Sequence, residues 1–172
     1  MRGYPAAPIK KRDAGRSADS YLSRNPPPNW SVCQGCHAIY HHKHWSLSEP
    51  LAQDLLKKHP GRLLCPACQK IHDRFAAGVV TLKGDYLRNH REEIVNLVRN
   101  EEERALGFNP LERIISIRER NGNLEVETTT EKLAQRIGKR LHQAHHGTVA
   151  YKWSRDNRLI RVDWERDLES SR

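Results

Sequence analysis

Aromatic side chains are scarce in this 172-residue chain, which has 2 Phe, 4 Trp and 5 Tyr, and there is only 1 Met. That supply excludes one large hydrophobic interior and points to smaller cores, for which a bound metal is a common staple. No apolar run is long enough for a membrane-spanning helix. Met1 to Arg12 offers no stretch suited to a secretory signal. The expectation is a cytoplasmic protein, where thiols stay reduced and paired cysteines suggest a metal before disulfides. Acidic residues are the minority sign. Against 30 Lys and Arg stand 21 Asp and Glu, a net charge of +9 that favours polyanionic partners. Mean hydropathy is −0.84.

All four cysteines fall into two pairs, Cys33-Gln34-Gly35-Cys36 and Cys65-Pro66-Ala67-Cys68, separated by 28 residues. Two residues between thiolates let both reach one ion from a tight knuckle, and Gly35 and Pro66 suit such turns. Four thiolates close a tetrahedral shell with no place for water, which is the pattern of a structural zinc ion. Cysteine spacing alone does not choose zinc over an iron–sulfur cluster. A thioredoxin-like dithiol would need a βαβ setting, which the sequence does not offer.

Six histidines stand near this site: His37, His41, His42, His44, His59 and His72. They follow no metalloprotease spacing, and no acid/base pair accompanies them. No catalytic residue is expected, and the histidines read as a polar loop or a phosphate contact. Trp30 and Trp45 flank that loop, either covering the small metal core or stacking on a base.

The pattern along the chain predicts an α+β fold. Residues 1–29 read as a disordered basic arm ending in Pro26-Pro27-Pro28, with six cations against two acids over residues 1–28. Residues 30–82 form the cysteine module, zinc-ribbon or treble-clef in style. It should contain a helix opened by the capping box at Ser46–Glu49 and running through His59. A second helix should run from Pro66 to Gly78, with a short strand over residues 78–82. Residues 83–108 read as one connecting helix capped by Asp85. Residues 109–166 should give hairpin, helix, hairpin: a four-stranded antiparallel sheet with a helix on one face. The first hairpin turns at Asn121-Gly122, and the helix starts at a capping box, Thr128–Glu131. Residues 167–172 are a polar tail. In the helix over residues 131–146, Leu133, Ile137, Leu141 and Ala144 have buried spacing, and Lys132, Arg136, Lys139 and Arg140 lie opposite.

The residues Cys65-Pro66-Ala67-Cys68, Ala77-Gly78-Val79-Val80, Gly84-Asp85, His90-Arg91, Asn100-Glu101-Glu102-Glu103-Arg104 and Asn109-Pro110-Leu111-Glu112-Arg113-Ile114 resemble a family of small stand-alone bacterial zinc proteins. These are labelled as relatives of the nonsense-mediated-decay-named adaptor of the large ribosomal subunit, which carries more cysteine pairs and further β domains. The resemblance spans about residues 30–164 and implies association with the ribosome or its RNA. Together with the charge pattern it gives an expectation of a non-enzymatic factor in ribosome stability, hibernation or translation control. Its contacts with RNA phosphates would be Lys10, Lys11, Arg12, Lys43, His44, Arg136, Lys139 and Arg140. Neither a membrane nor a small-molecule substrate is expected. The alternative is a protein-interaction adaptor that uses a sheet edge.

Overall fold

The computed structural model describes residues 19–22, 25–58, 63–154 and 158–168. The order of elements is β1 (Ser31–Val32), β2 (Ile39–His41), β3 (His44–Ser46), α1 (Glu49–Lys58), α2 (Pro66–Asp73) and β4 (Gly78–Lys83). After these come α3 (Asp85–Asn89), α4 (Arg91–Leu106), β5 (Ile114–Arg120), β6 (Asn123–Thr128), α5 (Glu131–His145), β7 (Thr148–Trp153) and β8 (Ile160–Glu165). The fold is α+β, with a three-stranded sheet in order β1-β2-β3 and a five-stranded sheet in order β5-β6-β4-β8-β7.

The four-stranded antiparallel sheet expected from the sequence is therefore corrected to five strands of mixed direction. β4 enters the centre, antiparallel to β6 and parallel to β8, with Val80 opposite both Val126 and Val162. Its composition explains the place: Val79, Val80 and Leu82 are buried, so the strand needs cover on both sides. The hairpin β5–β6 turns at Asn121 and Gly122, both with positive φ, as a tight two-residue turn requires.

α5 lies on one face of this sheet, and α4 packs against α5. Val80, Leu82, Leu124, Val126, Ile160, Val162 and Trp164 meet Leu133, Ile137 and Leu141 in one apolar cluster. Trp164 is fully buried, and its indole N–H donates to the carbonyl of His146 at 2.8 Å, satisfying the ring's one polar atom. Ala144, expected in the buried stripe, is exposed; Gly138 is buried instead. A Cβ there would stand 2.6 Å from Val162 Cγ1, so glycine is what lets β8 approach the helix.

Four helix boundaries also differ from the sequence reading. The single helix over 83–108 is two, broken at His90, whose φ of −120° is not helical. Its N-cap is Gly84 rather than Asp85, because φ is +98° and a Cβ would fall 2.1 Å from the carbonyl oxygen of Arg166. The orphan N–H of Asp85 finds its acceptor on Asp167, 3.3 Å away, so the C-terminal stretch takes part in the fold. α2 ends at Asp73 with Arg74 left-handed, well short of Gly78. Thr130, not Thr128, caps α5, its hydroxyl accepting from Leu133 N; the Thr128 hydroxyl is engaged with the Thr130 carbonyl. Finally, the far end of the arm is held: Tyr21 donates to Asp73 at 3.0 Å and packs on Phe75.

Candidate metal centre

Cys33 follows β1, and a tight turn through Gln34 and Gly35 brings Cys36 beside it, closed by His37 N donating to Cys33 O at 2.9 Å. β2 and β3 then form a short antiparallel hairpin. The second pair arrives on α2, where Cys65 is the N-cap with its sulfur accepting from Cys68 N. The knuckles are tied together by Gln34 N donating to Leu63 O at 2.9 Å.

These folds bring the sulfurs of Cys33, Cys36, Cys65 and Cys68 within 4.8 Å of one another, close enough to hold one metal ion. A tetrahedral ion with metal–sulfur bonds of about 2.3 Å, the zinc value, needs sulfurs roughly 3.8 Å apart. Cys36 and Cys65 are 3.6 Å apart. Backbone N–H groups also face the sulfurs, Cys65 N to Cys33 at 3.2 Å and Cys68 N to Cys65 at 3.4 Å, as thiolate charge demands. Gly35 completes the cradle: a Cβ there would lie 2.9 Å from Cys68 Sγ.

Four thiols this close cannot all ionise unaided. Hydrogen bonds from Cys36, Cys65 and Cys68 hold the Cys33 thiol far below its usual range. The bonds to Cys33, then Cys36, push Cys65 and Cys68 far above it. A dication is what allows all four to lose their protons. Cys33 and Cys65 are buried, with Ala38 and Ala67 around them and Trp45 and Leu111 against the cluster. Trp45 thus covers the site. Trp30 does not; it is exposed and stacks on His41 at 3.6 Å.

The histidine segment read from the sequence as a polar loop is the tip of the β2–β3 hairpin. His42 and Lys43 make the turn with φ of 47° and 64°, and His41 pairs with His44. Among the described residues the four cysteines are the only such group of potential ligands. Lys43 and His44 are exposed, and neither has an ion-pair partner among the described residues.

The other expected phosphate contacts divide three ways. Lys10, Lys11 and Arg12 lie outside the described residues. Lys139 is exposed on α5. Arg136 and Arg140 are partly exposed but engaged by acids: Arg136 pairs with the buried Glu112, and Arg140 donates to the buried Glu101 at 2.9 Å. Sequence spacing placed both arginines on an outer helix face, but α4 and the stretch before β5 cover part of that face. No helix of the described residues is long and apolar enough to cross a membrane. No family model, curated protein or solved structure matches the chain.

Proposed function

We propose that this chain is a non-enzymatic, ribosome-associated RNA-binding factor whose cysteine module is folded by one structural zinc ion in a treble-clef-like arrangement. The observation that carries the reading is the β2–β3 hairpin. A short turn rooted beside the four-sulfur cluster displays Lys43 and His44 to solvent, free of carboxylate partners among the described residues. A closed four-thiolate shell offers no open position for catalysis, so the metal's work is to fix that turn. Lys139 and the cations of residues 1–18 extend the contact with phosphate, whereas Arg136 and Arg140 serve mainly to bind Glu112 and Glu101. The role suggested is in ribosome stability, hibernation or translation control.

Sedimentation of the tagged protein through sucrose gradients, from growing and starved cells at low and high salt, tests the reading. Co-migration with the large subunit or whole ribosomes, lost at high salt, is expected of phosphate contacts that release counterions. A protein that stays at the top of every gradient sinks the proposal. A second reading, a protein-interaction adaptor, is favoured by the edge strand β7, which exposes Tyr151 and Trp153. Strand addition there would give binding that survives high salt.

A further inference from the structure

A groove of about 630 Å³ runs beside the metal centre, between the β2–β3 hairpin and the turn after α4. Its lining is unusual for this chain in two respects. Four of the chain's aromatics, Tyr21, Tyr40, Trp45 and Phe108, contribute to it. None of its lining residues is Asp or Glu, although the chain has 21 of them, while Lys43 and His44 stand in the wall. Tyr40 and Trp45 are fixed against each other with ring centroids 5.2 Å apart. Phe108 is the opposite case. It is 90% exposed, the most exposed large apolar side chain described, and sits just beyond the end of α4.

An uncovered phenylalanine lining the same groove as fixed aromatic rings and the unpaired ammonium of Lys43 calls for a ligand that is both planar and anionic. An apolar peptide would cover the rings and leave Lys43 without a counter-charge. An acidic peptide would meet Lys43 and leave Phe108 in water. A nucleotide unit of single-stranded RNA satisfies both, since every base has a face for stacking and every unit carries a phosphate.

We propose that this groove is a stacking site for an unpaired base of single-stranded RNA, with Phe108 and Trp45 as the platform and Lys43 and His44 on the adjoining phosphate. The assignment rests on the RNA-binding reading above and adds what it lacks: contact with bases as well as backbone, at a defined place. By contrast, the sheet face opposite α5 is laced with its own ion pairs, Arg118 with Glu127, and Lys83 and Lys152 with Asp163. That balance makes it a poor phosphate surface.

The experiment uses the full, metal-loaded chain and two fluorescein-labelled probes about a dozen nucleotides long, one oligouridine and one with the same backbone but no bases. Fluorescence anisotropy across a salt series should show the oligouridine bound roughly ten-fold more tightly than the abasic probe. F108A should erase that preference without changing the salt slope, and F108Y should keep it. K43A should retain the preference while lowering the salt slope by about one. Phe108 is so exposed that its removal leaves both cores untouched, and unchanged metal content confirms it. Equal binding of both probes by the wild-type chain, or F108A behaving as wild type, overturns the stacking site alone. Failure to bind either probe at low salt overturns it together with the RNA-binding reading.

Discussion

The cysteine module and the five-stranded sheet solve the same problem with different means. The sheet and its helices bury fifteen residues in one continuous cluster that includes Trp164, Ile94 and five leucines. Side chains of that kind contribute roughly 1.5–3 kcal/mol each on burial, so this region holds itself by area. The module has two small clusters instead: Val32, Ile39 and Ala52 under α1, and Cys33, Ala38, Cys65 and Ala67 around the sulfurs. Alanines and cysteines bury too little to order a chain of short strands and turns. Where apolar area runs out, the four-sulfur cluster offers coordination in its place, and a structural zinc site supplies about 10–16 kcal/mol at neutral pH.

The largest expected effect tests that replacement. Cys65→Ser removes one thiolate and the sulfur cap of α2, so bound metal, read by elemental analysis, should fall from one ion per chain to near none. The module should then lose its protection from hydrogen exchange, while the amides of β4, β6 and β8 stay protected. Loss of protection in both regions would show that the sheet depends on the metal, and the comparison would fail.

Trp164→Ala attacks the other side. Removing a fully buried tryptophan costs about 3–5 kcal/mol, a large part of the stability of a region this size. Sheet protection should collapse, yet metal should remain bound, because all four ligands and the residues tying the knuckles belong to the module. Metal released in parallel with sheet unfolding would mean one cooperative unit.

What could be read from the sequence follows the same division between local and distant causes. The four-cysteine cluster is legible because two pairs at knuckle spacing carry their own geometry, and the hairpin at Asn121-Gly122 because a tight turn needs those residues. Leu133, Ile137 and Leu141 announced the buried face of α5 by periodicity. β4 was legible as a strand but not as the centre of the sheet, since its parallel partner β8 lies at the other end of the chain. Arg136 and Arg140 looked free because Glu112 and Glu101, which hold them, come from elements whose placement depends on tertiary packing. The β2–β3 hairpin has no signal in His41-His42-Lys43-His44, which lacks apolar alternation; in the fold it follows directly on the Cys33–Cys36 knuckle.

Lys70 is where the two regions meet, and it gives the smallest and sharpest test. It lies on α2, directly after the second cysteine pair, yet it is only 4% exposed. Its ammonium donates to the carbonyl of Thr129, between β6 and α5, at 3.0 Å, and also pairs with Asp19. Close by, Ala77 N donates to Thr128 O at 2.9 Å, so the same corner of the sheet region is held twice. Lys70→Met keeps the apolar stem and removes the charge, leaving the Thr129 carbonyl without this donor. A charged hydrogen bond of this kind is worth about 2 kcal/mol, far less than either core. Metal content and sheet protection should therefore survive, and the thermal transitions of the two regions should move apart in calorimetry. A melting profile identical to wild type would mean that Lys70 carries no coupling. The module would then be joined to the sheet by the backbone from Arg74 to Ala77, the Ala77–Thr128 hydrogen bond and the contact of Leu111 with the sulfur cluster.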